Sequence, residues 1–193
     1  MKKIVVLLVV GVALSLFLIV PMRAQNSISV TEGDLAFLQE EATAVAVFDF
    51  SKARVGDGSV DDYLKTLGDD YVEDWPNVQA EARTKMINEF NRKSKALKFR
   101  ESETMVKARY EFLFNVLYYK PADQMKKNVP LVSKAGGDII SGTLEVKDRE
   151  ADAIVCRVLI DEVRGKSFPS DGTRLGYVFT EVMSRLLKQT SKK

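Results

Sequence analysis

The sequence predicts an α+β domain: a mixed, largely antiparallel sheet of about five strands with three amphipathic helices mainly on one of its faces. Three observations carry that prediction. Residues 106–118 place an apolar or aromatic side chain at every even position, which is the period of a strand. Residues 139–147 and 152–163 form two further apolar runs joined by the polar Asp148-Arg149-Glu150-Ala151, the pattern of an antiparallel hairpin. Leu175, Val178, Phe179, Val182, Met183, Leu186 and Leu187 then keep the 3,4 spacing that only a helix turns to one side.

The chain opens with Met1-Lys2-Lys3, a predominantly apolar run over 4–20, and Pro21-Met22-Arg23-Ala24. This is the layout of a secretory signal, so residues 1–24 are expected to be cleaved and 25–193 to form a single domain, periplasmic or secreted. The run is close to the roughly 20 residues that cross a bilayer, so the alternative is retention as an inner-membrane anchor over 4–20. Pro21, the small Ala24 and the polar Gln25-Asn26-Ser27 favour cleavage, and no cysteine follows the run to carry a lipid. Of the 29 basic side chains, Lys2, Lys3 and Arg23 belong to this segment; the 26 that remain face 27 acidic ones. A chain so balanced has no global field to draw it onto nucleic acid, and a membrane partner is implied only through an uncleaved signal segment.

Along the folded part, residues 33–38 suggest a turn or short helix, and 43–50 (TAVAVFDF) a strand rich in β-branched and aromatic residues. Gly56-Asp57-Gly58 marks a turn. Ser59 and Asp62 form a capping box before Val60, Tyr63, Leu64 and Leu67, and Gly68 stops that helix. Asp74-Trp75-Pro76 reads as the start of a second helix, with Asp74 as its cap, Pro76 in its first turn, and an apolar stripe of Val78, Ala82, Met86 or Ile87, and Phe90. The basic stretch 92–100 is a solvated helix end running into an edge strand. Ser170-Asp171-Gly172 opens the last helix. A right-handed crossover places the strand near 96–100 parallel to that at 43–50.

Only three helices leave the other face of the sheet partly open, with Leu113, Leu117, Tyr119, Val155 and Leu159 on it or under the long linker 120–137. That linker is too long for a plain connector. Leu113, Leu117 and Tyr119, with Met125 and Leu131 of the linker, are therefore the candidate partner surface.

Gly33-Asp34-Leu35-Ala36-Phe37-Leu38 and Ala46-Val47-Phe48-Asp49-Phe50-Ser51, followed by a Trp-containing helix and long late strands, resemble an exported Bacteroidota family without an assigned function. The Ala-Val-Ala-Val-Phe strand, the covering helices and the long hairpin ending at 161–165 are similar in architecture to periplasmic α/β domains of curli-secretion and TolB-type envelope proteins. Neither resemblance implies a catalytic residue or a cofactor.

The chain contains no histidine, which excludes Ser-His-Asp and Cys-His catalysis and histidine-based zinc sites. Its single cysteine, Cys156, forms no intrachain disulfide and falls in the apolar register of its strand, so a buried structural thiol is expected. No catalytic, cofactor or metal residues are assigned. The expected function is a non-enzymatic envelope or secreted domain that binds an envelope protein or a glycan. The alternative is a glycosidase-like hydrolase using two of Asp49, Asp57, Asp61, Asp62, Asp69, Asp70, Glu73 and Asp74. Asp57-Gly58 lacks the ligand spacing of a calcium loop.

Overall fold

The computed structural model describes residues 27–101, 107–122 and 136–191; the predicted signal segment, Met125 and Leu131 lie outside the described residues. Among the described residues eight strands form one sheet: β1 (Ser27–Gly33), β2 (Thr43–Asp49), β3 (Arg54–Val55), β4 (Gly58–Ser59), β5 (Lys98–Phe99), β6 (Tyr110–Lys120), β7 (Ile139–Asp148) and β8 (Ala153–Arg164). The order across the sheet is β1-β8-β7-β6-β2-β5, with the β3–β4 hairpin attached beside β6. β2 runs parallel to both β5 and β6, and every other pairing along that order is antiparallel.

The α+β class and the mixed, largely antiparallel sheet stand, and the five expected strands are all present. The count rises to eight because β1, β3 and β4 carry little apolar signal. In β1 only Ile28 and Val30 turn partly inward, as suits an edge strand, and β3 and β4 have two residues each. The crossover from β2 to β5 passes through α1 (Val60–Leu67) and α2 (Asp69–Lys93), and α3 (Asp171–Thr190) follows β8. A 3₁₀ turn at Ala36–Gln39 plugs Phe37 and Leu38 into the core.

The capping box of α1 forms as the sequence indicates, Ser59 Oγ accepting from the Asp62 N–H at 3.0 Å and Asp62 accepting from the Ser59 N–H at 3.1 Å. α2 differs from expectation. It begins at Asp69, not after Asp74, because Gly68 at φ 131° is both the C-cap of α1 and the N-cap of α2, the single residue between them. Pro76 therefore sits inside the helix, where it cannot donate to the Val72 carbonyl. Asp69 and Asp70 occupy the positive end of the helix.

α2 and α3 lie side by side and point the same way, since Glu81 meets Ser170 and Thr173 while Lys93 meets Ser184. Gly172 and Gly176 make this possible. A Cβ on Gly176 would lie 2.8 Å from the Ala82 carbonyl oxygen, and one on Gly172 would lie 2.6 Å from the Glu81 Cβ. The two backbones meet where α3 has no side chains.

Inward residues of the sheet and one stripe from each helix form a single apolar core. Its centre is aromatic: Phe48 stacks on Phe179 at 3.8 Å, and Phe114 meets both rings edge-on. Cys156 is buried in it, as expected.

Candidate functional site

The helices cover one face of the sheet and leave much of the other uncovered. Along β6 the odd residues Glu111, Leu113 and Asn115 face outward and are half-buried, while Leu117 is 50% exposed. The outward row continues across the sheet from Asn115 through Thr143 and Leu159 to Ser29, and Leu159 is 46% exposed. A neighbouring row carries charges: Arg157 bridges Glu145 at 3.2 Å and Glu32. These pairs are solvent-exposed and contribute little to stability. They frame the exposed leucines with polar groups, which is the layout of a docking patch with a polar rim. Val155, expected on this face or under the linker, packs partly against the core.

Tyr119 does not belong to this face. A β-bulge between Val116 and Tyr118 shifts the register by one residue, so Tyr119 takes the inward position that even-numbered residues hold earlier in the strand. Gly142 on β7 accommodates the bulge, since a Cβ there would lie 2.1 Å from the Asn115 carbonyl oxygen. Tyr119 is 4% exposed and packs against Phe50 and Trp75.

Its hydroxyl donates to Asp138 Oδ2 at 3.1 Å, and Asp138 is fully buried just before β7. The other carboxylate oxygen accepts from the Ala122 N–H at 2.8 Å and from Arg174 Nε at 2.6 Å. Arg174 also donates to Asp171 Oδ1 at 2.6 Å, and the Gly165 N–H donates to the Asp138 carbonyl at 2.9 Å. Through its carboxylate and its backbone carbonyl, Asp138 thus ties together the end of β6, the residues just after it, the start of β7, the exit of β8 and the first turn of α3. Burial and then the Asp138 charge push the Tyr119 phenol well above its usual range. Burial works against the charge of Arg174, but Asp138 and Asp171 outweigh it and raise that guanidinium further. Sequence reasoning missed this network: Asp138 reads as the polar end of a linker, and only folding brings Arg174 to it.

A cleft of about 60 Å³ opens beside the network, walled by Tyr63, Tyr71, Trp75, Val78 and Pro121. Of the eight acidic residues weighed as a catalytic pair, five sit in turns, caps or first helical turns and a sixth bonds within its own helix. Asp49 accepts from the Ser51 N–H, Asp62 caps α1, Asp61, Asp69 and Asp70 sit in first helical turns, and Asp74 holds Asn77. Among the described residues no three His, Cys, Asp or Glu side chains are grouped to hold a metal ion. Burial raises the Cys156 thiol to about 11, which leaves it a poor nucleophile. No helix among the described residues is long and apolar enough to cross a membrane.

No family model matches the chain, and no curated protein matches it either. Among solved structures it is similar to a PelC dodecamer subunit from Paraburkholderia phytofirmans, at 13% identity over 83% of this chain and 96% of that one, with a TM-score of 0.43. A neuraminyllactose-binding hemagglutinin homolog from Helicobacter pylori matches at 13% identity over 80% of this chain and 85% of its own, with a TM-score of 0.31. A DUF330 protein from Xanthomonas campestris matches at 10% identity over 80% and 89%, also with a TM-score of 0.31. Likenesses of this depth attach no activity to the chain.

Proposed function

We propose that this chain is a non-enzymatic exported domain, related to the Bacteroidota family it resembles, that docks a protein of the cell envelope on the open face of its sheet. The observation that carries this reading is the one-sided burial of the sheet. Leu117 and Leu159 stand 50% and 46% exposed on a face that no helix among the described residues covers, and Leu113 lies half-buried on the same face. Exposed apolar side chains grouped on a flat, polar-rimmed face support partner binding. The structural work of Asp49 and Asp62 supports a non-enzymatic role, because both carboxylates are engaged in turn and cap hydrogen bonds.

A photo-crosslinking residue placed in turn at Leu117, Leu159 and the exposed helix position Asn88 tests this in cells that produce the protein. Discrete adducts of one size are expected at 117 and 159 and none at 88. Equal labelling at all three positions, or none at any, rejects the sheet face as a docking surface.

A further inference from the structure

A wide concavity among the described residues lies on the helical side, away from the open sheet face. It is a groove of about 1230 Å³ between the C-terminal half of α2, most of α3, the 3₁₀ turn and the segment that follows β8. Six cationic side chains line it: Arg92, Lys93 and Lys95 from the end of α2 and the loop after it, Arg164 and Lys166 from the exit of β8, and Lys188 from α3. The two lining carboxylates are already engaged, Glu89 by Lys85 at 3.2 Å and Arg92 at 2.6 Å, and Glu181 by Arg185 at 2.8 Å. Lys93, Lys95, Lys166 and Lys188 make no ion pair among the described residues. The excess is local, because the chain as a whole is nearly neutral. Folding gathers into one groove positive charges that the sequence spreads over almost a hundred positions. Concave walls focus such a field.

We propose that this groove binds an acidic polysaccharide. Its chemistry favours a carboxylated glycan over the other common polyanions. Hydroxyl and amide side chains, Ser184, Thr190, Ser191 and Gln39, stand among the cations and match a ligand rich in hydroxyl groups. Ser94, 5% exposed at the groove, has a hydroxyl with no hydrogen-bond partner. The lining stretch of α3 from Tyr177 to Ser191 spans about 21 Å, a length for an extended chain and not for a single small anion. None of the exposed large apolar side chains, Tyr71, Leu117, Ile154, Leu159 or Phe168, lies in the groove, so it has nothing to insert into a lipid surface. Tyr177 is the one aromatic ring among the lining residues, and the ammonium groups of Lys85 at 4.5 Å and Lys166 at 5.7 Å sit over it. No bare ring remains on which nucleobases would stack. The groove and the sheet face share no residue, so this inference stands apart from the docking reading.

The test is titration of the purified full chain with polygalacturonate, neutral dextran, phosphatidylglycerol vesicles and oligothymidylate, at low and high salt. Polygalacturonate is expected to bind, dextran is not, and high salt weakens binding roughly tenfold or more. Lys95→Glu with Lys188→Glu is expected to lower affinity roughly tenfold, whereas Lys147→Glu on the sheet face leaves it unchanged. Should the glutamate pair fail to fold, Lys95→Gln with Lys188→Gln removes the charge alone and is expected to weaken binding in the same direction. Failure to bind polygalacturonate, equal binding by the groove and sheet-face variants, or tighter binding to vesicles or oligothymidylate overturns the proposal.

Discussion

Asp138 shows how much of the fold can hang on a single carboxylate. It is fully buried, and its charge is matched by Arg174 and satisfied further by the Tyr119 hydroxyl and the Ala122 N–H. The Coulombic gain of such a pair offsets the cost of taking both charges out of water, so its net contribution is modest. Removing Asp138 is different, because the buried Arg174 keeps only the partly exposed Asp171 as counter-charge, and the Tyr119 hydroxyl and the Ala122 N–H lose their acceptor. Asp138→Ala is therefore expected to lower stability by about 3 kcal/mol or more, read from urea unfolding, and Asp138→Ala with Arg174→Met should recover much of that loss. A single variant as stable as the parent would show that the network carries little. None of this is legible locally: an aspartate after Gly136-Gly137 has the appearance of a turn residue, and Arg174 lies 36 positions away. Cys156 is the opposite case. Its burial follows from strand alternation alone, and the structure bears it out.

At the level of elements, periodicity located every long helix and strand, and its failures are of a few physical kinds. β1 was passed over because an edge strand buries only half of one face. α2 starts earlier than its best cap signal because Gly68 lets two helices abut. The bulge in β6 exchanges the roles of Tyr118 and Tyr119, since period two carries no warning of an inserted residue. The small-residue row Gly172, Gly176 and Thr180 has a meaning that depends on α2 lying against it, which no local pattern carries. That contact gives the second prediction. Alanine normally favours a helix over glycine by about 1 kcal/mol, so Gly176→Ala would stabilise an isolated α3. Here the new Cβ would press on the Ala82 carbonyl oxygen at 2.8 Å and on the Lys85 side chain. Overpacking of this kind costs about 1–3 kcal/mol, so a net loss of stability is expected in thermal melts. A gain would mean that the helices separate freely.

Across the whole molecule, the segment 123–135 leaves the described residues and rejoins them at nearly the same point. Lys120 pairs with Ile139 across β6 and β7, and the Ala122 N–H reaches the Asp138 carboxylate at 2.8 Å. Residues 123–135 thus connect two antiparallel strands whose adjoining ends are held together by ladder pairing and the Asp138 bonds, and the length of the connection is the feature the sequence makes plain. Two consequences can be separated by experiment. Because described residues on both sides supply these base contacts, replacing 123–135 with a short Gly-Ser turn is expected to leave the fold intact; closing a shorter loop costs slightly less entropy, by a few tenths of a kcal/mol. The thermal midpoint should therefore stay within a few degrees of the parent. Partner docking is the independent readout. If Met125 and Leu131 belong to the same surface as Leu113 and Leu117, the shortened chain should keep its stability and lose the crosslinks at positions 117 and 159. Retention of both stability and crosslinks would confine the docking surface to the sheet itself, and a collapse of stability would show that the clamp at Asp138 needs the loop above it.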